Sequence, residues 1–359
     1  MSRDALAGRV RALLQRLADG TRDDAARDAL IADVLRYQRR ALPAFARVVE
    51  RLGGGDDPLC WPALPTDVFR FTRVAVHDAS EDVRVFRTSG TTAQARGAHH
   101  LRDLSLYDCA ARTAARHMLF PDVARMPLVM LAPSAHELPD SSLSYMLDRF
   151  GEWFGAGPSV WAIAAGQIDL ARLTHVLERA ERDAQPLALL GTSFAFVHAE
   201  QALGSRRFAL PPGSRIMQTG GFKGRSRELS PAQMLELLAA RYGVEVCCIV
   251  QEYGMTELSS QLYESTLRDA LRAGRPDARH FWVPGWVRAS VVDPATLAPV
   301  PDGHEGLLRI DDPCNLDTAC AVQTSDRARA VDGGLLVLGR AADAVPRGCS
   351  LAIDAVLGG

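Results

Sequence analysis

Apolar residues recur at helical spacing from the start of the chain: Leu6, Val10, Leu13, Leu14 and Leu17 share one side of a 3.6-residue repeat. A second helix is predicted from Thr21, where Asp24 three residues on makes a start like a capping box, and a third follows Pro43. Gly53-Gly54-Gly55 breaks the pattern. From about residue 85 the pattern changes. Apolar runs at 127–132, 159–164, 187–191, 214–219 and 244–250 read as buried strands, and helical stretches at 104–118, 169–183, 194–203 and 231–242 separate them. Ser230-Pro231 is a helix start, a capping hydroxyl followed by proline at the first helical position. Such alternation predicts an α/β fold with largely parallel strands. After about residue 285 the pattern becomes short strands and turns, at 287–292, 306–310, 319–324 and 334–338. The expected organisation is a helical N-terminal region at 1–80, an α/β core at 81–285, and a small β-rich portion with a tail at 286–359.

Composition narrows the function classes. The 359 residues are 47% hydrophobic and 23% charged, which is ordinary for a globular protein. A net charge of -2 argues against nucleic acid as a partner, since phosphate binding leaves a basic footprint. No apolar run approaches the roughly 20 residues of a membrane span. Seven cysteines, none in CxxC spacing, suggest free thiols in a reducing cytoplasm. Cys247 and Cys248, adjacent in the run at 244–250, are expected on opposite faces of a strand. Lys223 is the one lysine among 41 basic residues. A chain that uses arginine elsewhere would keep a lysine where a compact ammonium is needed; survival at an exposed site is the alternative.

Two segments carry candidate chemistry. Phe86-Arg87-Thr88-Ser89-Gly90-Thr91-Thr92 follows a predicted strand and sets four hydroxyls around one glycine. Such a loop can wrap phosphate oxygens with N–H and O–H donors, although the same composition also makes an ordinary solvated turn. It lacks the P-loop pattern. Gln251-Glu252-Tyr253-Gly254-Met255-Thr256-Glu257 follows the run at 244–250, and strand ends of this kind are where open α/β sheets bind ligands. There a tyrosine can pack on a base, a threonine can donate to phosphate, and a glutamate can ligate Mg²⁺. The alternative is a strand-end turn with a surface glutamate.

Together these segments resemble a known family. Thr88 through Gly97 resembles the (S/T)SGTTGxPKG loop of the adenylate-forming superfamily, which holds acyl-CoA synthetases, firefly luciferase and peptide-synthetase adenylation domains. Tyr253-Gly254-Met255-Thr256-Glu257 matches its YGxTE motif. Thr219-Gly220-Gly221, Pro301 through Leu307, Thr324-Ser325-Asp326 and Gly339 through Asp343 resemble further motifs in the family's order. Ala93, Ala95 and Arg96 depart from the first loop, standing where the family has glycine, proline and lysine. Sixteen residues follow Asp343, so the family's mobile C-terminal domain, with its catalytic lysine, is expected to be absent or truncated. Thr219-Gly220-Gly221-Phe222-Lys223-Gly224 and a near-terminal cysteine make the chain most similar to bacterial acyl-protein synthetases. These are the fatty-acid-activating components of the bioluminescence reductase complex. Phenylacetate-CoA ligases are a more distant likeness.

The resemblance implies ATP and Mg²⁺ as cofactors and a carboxylic, expected fatty, acid as substrate. It implies that Thr88, Ser89, Gly90, Thr91 and Thr92 hold the β- and γ-phosphates. Gly220, Gly221 and Tyr253 would frame adenine, with Gly254 beside them in the nucleotide site. Thr256 would touch the α-phosphate, Glu257 would ligate Mg²⁺, Asp326 would bind ribose, and Arg340 would lie near ribose or phosphate. Lys223 is the candidate to replace the missing lysine, and Cys349 the candidate acyl-carrying thiol. The acceptor is then a protein thiol, on Cys349, a reductase or a carrier protein, or coenzyme A. A non-catalytic nucleotide- or partner-binding relative is the other class. His99-His100, His136 and His304 are not spaced as a metal site and are expected to be partly exposed or to make loop hydrogen bonds. Ser141-Ser142 beside His136, and Phe194, Phe196 and Val197, are weaker candidates for the acyl side; packing against the core explains the last three equally well.

Overall fold

Ser2 opens the first helix, Arg3–Arg16, by accepting from Ala5 N, and the stripe Leu6, Val10, Leu13 and Leu14 is buried as its spacing requires. Asp23, not Thr21, caps the second helix, Asp24–Ala41: its carboxylate accepts Ala26 N at 3.0 Å. Thr21 instead turns back onto Asp19. A carboxylate is the stronger cap for exposed amides at the positive end of a helix. Pro43–Leu52 follows with proline in its first turn, as expected. The structure, a computed structural model, describes residues 1–89, 96–220, 229–274, 278–341 and 356.

The chain divides into two compact units. One comprises Met1–Ala114, Met255–Gln261 and Trp282–Gly359. Besides the three helices it holds an antiparallel run of strands in the order Arg288–Val292, Glu305–Asp311, Ala321–Val331 and Gly334–Arg340. Leu64–Pro65 lies parallel to Ala321–Val331. A separate two-stranded ribbon pairs Arg84–Arg87 with Ala98–Leu101. The run expected at 319–324 is the first part of a longer strand that continues to Val331.

The other unit comprises Ala115–Gly254 and Leu262–Phe281. Its strands Leu128–Leu131, Val160–Trp161, Ala188–Thr192, Arg215–Thr219 and Ile249–Tyr253 are mutually parallel. Numbered along the chain they lie in the order 2-1-3-4-5, and Leu262–Glu264 adds an antiparallel edge on the last. This is the α/β fold that the alternation predicts. Helices Leu170–Arg182, Ser193–Leu203 and Pro231–Tyr242 stand where helical spacing puts them, and Ser230 and Gln233 complete a capping box on the last. Phe196 and Leu238 are fully buried against the sheet, each worth roughly 1.5–3 kcal/mol in area removed from water. Gly191 is required by strand packing: a Cβ there would stand 2.6 Å from Leu131 Cβ.

Two differences from expectation have physical causes. The strand predicted at 244–250 begins only at Ile249, because pairing with the neighbouring strand starts at Ile249–Ile216. Val246–Cys248 is instead a tight turn, and Arg279 donates to the carbonyls of Val246 (2.6 Å) and Ile249 (2.9 Å). Cys247 and Cys248 therefore lie in a turn and do not alternate across a strand. Helix Ser142–Phe154 was not anticipated; Ser141 caps it by accepting Ser144 N at 3.1 Å. That role accounts for Ser141, and burial in the core accounts for Phe196 and Val197.

Candidate active site

In the first unit, strand Arg84–Arg87 delivers Thr88 and Ser89 to the start of the hydroxyl-rich loop, and Gly97 leads out into Ala98–Leu101. The loop is closed at its neck. Thr88 N donates to Gly97 O (2.9 Å), and Gly97 N donates to Thr88 Oγ1 (3.0 Å). Arg96, in the place of the family's lysine, donates from Nε to Thr88 O (2.6 Å) and from a terminal nitrogen to Arg87 O (3.2 Å). Its fork thus braces the two backbone carbonyls at the neck, which a point-charge ammonium would do less well.

Glu257 comes to this same neck. Its side chain is buried, and a Cβ added to Gly97 would stand 3.1 Å from Thr88 Cγ2 and 3.4 Å from Glu257 Oε1. Two motifs about 160 residues apart in sequence are thereby brought together within one unit. The backbone around Glu257 is held by buried side chains. His99 Nδ1 bonds Thr256 O at 2.7 Å, and Asn315 Nδ2 donates to Glu257 O at 2.8 Å. Asp312 accepts from Ser259 N (3.2 Å), Ser260 N (2.8 Å) and Ser260 Oγ (2.9 Å). Burial pushes the Asp312 carboxyl up and those bonds oppose it.

His99 is fully buried, and burial lowers its pKa to about 4 against the opposing bond to Thr256. Its ring is therefore neutral. Thr256 O can only accept, so Nδ1 carries the proton; Nε2 then accepts from the Thr318 hydroxyl at 2.9 Å. Both nitrogens are bonded, and Phe69 packs edge-on at 6.2 Å. Of the two expected alternatives, partial exposure or a loop hydrogen bond, His99 takes the second. His100 is different: with Arg73 and His77 it meets the Asp82 carboxylate, at 2.9 Å for each imidazole. In the same unit Asp326 and Arg340 are direct cross-strand partners, with Arg340 Nε 3.8 Å from Asp326 Oδ1.

In the second unit, Thr219 and Glu252 are register partners at the carboxyl ends of neighbouring parallel strands. The Thr219 hydroxyl donates to the Glu252 carboxyl. Glu252 is buried, and its pKa is pushed up to about 7 by burial, offset in part by the Thr219 bond. Ser193 Oγ donates to Gly220 O at 2.9 Å, and Gly220 has φ +72, a left-handed turn natural to glycine. Tyr253 ends its strand with its ring 6.0 Å from that of Phe281, and Gly254 follows it. Gly220, Tyr253 and Gly254 thus share one edge of the parallel sheet, the edge where ligands bind in such folds.

Gly90, Thr91, Thr92, Gly221, Lys223 and Cys349 lie outside the described residues. The sequence points to none of Asp312, Asn315 and Glu252 as a candidate, and gives His99 only the expectation of partial exposure or a loop hydrogen bond. The signal for Glu252 is faint: a glutamate within an apolar strand end, one place before the motif.

A family model described as "Acyl-protein synthetase, LuxE" matches residues 56–357. The chain belongs to the LuxE acyl-protein synthetase family. Among its relatives is a long-chain-fatty-acid–luciferin-component ligase of Aliivibrio fischeri, 24% identical over 272 residues, which are 74% of this chain and 68% of the relative. The ligase of the same name from Vibrio harveyi is 21% identical over 306 residues, 83% and 77% of the two chains. Solved structures with this fold include 2-hydroxyisobutyryl-CoA ligase in an open conformation with 2-HIB-AMP and CoA. That match has a TM-score of 0.60 at 16% identity, over 89% of this chain and 76% of the other. The same ligase in its postadenylation state matches with a TM-score of 0.62 at 16% identity, over 88% and 67%. LuxE membership and the adenylate-forming fold agree with the motifs at Thr88–Gly97 and Tyr253–Glu257. No helix among the described residues is long and apolar enough to cross a membrane.

Proposed function

We propose that this LuxE-family chain uses ATP to activate a long-chain fatty acid and transfers the acyl group to a protein thiol. The observation that carries the reading is the placement of the Glu257 carboxylate against the neck of the Thr88–Gly97 loop. A carboxyl oxygen then stands beside the loop that the resemblance assigns to the phosphates. A carboxylate is a poor acyl donor because its leaving group is oxide. Its oxygen attacks the α-phosphorus of ATP, the bond from that phosphorus to the bridging oxygen breaks, and pyrophosphate leaves. A thiolate then attacks the acyl carbon of the mixed anhydride, forming a thioester and releasing AMP. The protein's task in such a transfer is chiefly positioning and charge neutralisation.

Mg²⁺ fits this arrangement. Mg²⁺ is usually held by one or two carboxylates, with substrate phosphates and water completing the octahedron. Among the described residues no group of three His, Cys, Asp or Glu side chains forms an all-protein cage, and Glu257 supplies a carboxylate at the loop neck. Bound there with ATP, the cation would neutralise charge between the phosphates and the incoming carboxylate. Thr88 Oγ1 accepts the neck bond from Gly97 N through a lone pair, a bond that does not use its O–H, which can donate to an anion. Thr256 and Ser89 are assigned to the phosphates, Gly220, Tyr253 and Gly254 to the base, and Asp326 with Arg340 to the ribose side. Lys223 is assigned to the incoming carboxylate and Cys349 to the acyl-carrying thiol.

The test is ATP–pyrophosphate exchange across a panel of short, long and aromatic acids. Exchange that requires a long-chain acid and Mg²⁺ is the expected result. Exchange with no acid dependence, or none with any acid, would remove the activation step from this reading.

A further inference from the structure

We infer that His99 is a positioning residue that holds the Thr256–Glu257 backbone against the neck of the Thr88–Gly97 loop. The inference rests on the functional reading above for the role of Glu257, but the geometry stands by itself. The segment Gly97-Ala98-His99 does two things at once. Gly97 closes the loop through both its N–H and its carbonyl, and its Cα faces the Glu257 carboxylate. Two residues on, His99 reaches Thr256 O, one peptide before Glu257. A displacement of the strand Ala98–Leu101 therefore moves the loop neck and the Glu257 backbone together.

The chemistry of the ring suits that task. Thr256 O requires a donor, and Thr318 can satisfy the other nitrogen with its hydroxyl, so the neutral Nδ1–H form is fully bonded. Burial and the edge of Phe69 remove alternative ring orientations. Asn315 grips the next carbonyl, on Glu257, and itself donates to Ala319 O at 2.9 Å. The peptide carbonyls on either side of the Glu257 Cα are thus each fixed by a buried side chain from a different part of the fold. Removing a buried donor leaves Thr256 O without a partner, and a carbonyl so orphaned will turn to find one. The predicted consequence is local: a misplaced Glu257 carboxylate, with the acid site unaffected.

Two variants and one spectrum test this. His99→Leu removes both ring bonds. His99→Asn keeps a short amide donor in the direction of Thr256 O and gives up the bond to Thr318. Calorimetry of ATP binding with and without Mg²⁺ is read alongside thermal unfolding of the free protein and the KM values for ATP and acid. The expected result for His99→Leu is a loss of about tenfold in Mg²⁺-dependent ATP affinity, the order of one net hydrogen bond to a loop of this kind. The KM for the acid stays within about twofold, and His99→Asn recovers most of the affinity. Nitrogen-15 spectra of histidine in the wild-type protein should show His99 neutral with its proton on Nδ1. Wild-type Mg²⁺-dependent affinity in a folded His99→Leu protein, no recovery in a folded His99→Asn protein, or a proton on Nε2 would each overturn the inference. The spectrum decides even if His99→Leu fails to fold. Failure of the functional reading is recognised separately, as absence of acid-dependent exchange in the wild type, while calorimetry still reads the Mg²⁺ effect.

Discussion

Replacing Glu252 with Gln should make the protein's stability markedly less sensitive to a rise in pH from about 5 to about 8. Glu252 is buried between strand ends, with Thr219 as its hydrogen-bond partner, and its pKa stands at about 7 against 4.5 for a free glutamate. Below 4.5 the carboxyl is protonated whether the chain is folded or unfolded, and its contribution to stability is complete. As pH rises the unfolded chain releases the proton first, and the contribution is lost as pH passes 7. Displacement from 4.5 to about 7 corresponds to roughly 3 kcal/mol in all, of which roughly 2.5 kcal/mol falls between about pH 5 and pH 8. Glutamine is neutral throughout and keeps an acceptor for the Thr219 hydroxyl. Any fixed cost of its amide cancels when the two pH values are compared. Urea unfolding of both proteins at the two pH values gives the double difference. The expected value is roughly 2–3 kcal/mol in favour of Gln at the higher pH. A double difference near zero would mean that Glu252 is ionised in the folded protein and would refute the argument from burial.

Other outcomes follow from the same contacts. Glu257→Gln should lower Mg²⁺-dependent ATP–pyrophosphate exchange by about 10²-fold or more with little change in the unfolding midpoint; wild-type exchange would take Glu257 out of the site. Arg96→Lys should raise the KM for ATP several-fold, because an ammonium cannot span the Thr88 and Arg87 carbonyls as the guanidinium does; an unchanged KM would show the brace to be dispensable. Lys223→Arg should lose most adenylation activity, since a planar fork replaces a compact charge beside two anions; full activity would defeat the argument from the single lysine.

The α/β fold was legible because its buried strands and amphipathic helices alternate at their own periods, and because caps such as Ser230 are local chemistry. The limits of the strand at Ile249 were not legible. They depend on where the neighbouring strand begins and on Arg279, neither of which leaves a mark in residues 244–250. Thr88 and Glu257 could be named from motifs, but their meeting at Gly97 is tertiary. The roles of His99, Asn315 and Asp312 are hidden in the sequence for the same reason. Each bonds backbone groups distant in sequence, and a buried histidine looks in sequence like any other. Arg96 read as a departure from the family loop, whereas the structure gives it a defined place across the loop neck.

The most direct test of the account is the mass of the intact protein after incubation with ATP, Mg²⁺ and a long-chain fatty acid. The account predicts an adduct of one acyl group, labile to hydroxylamine as a thioester should be. It further predicts that the adduct disappears in Cys349→Ser while acid-dependent ATP–pyrophosphate exchange survives. An adduct that persists in Cys349→Ser would contradict the assignment of that thiol. An unmodified protein that instead forms acyl-CoA when coenzyme A is supplied would contradict transfer to a protein thiol.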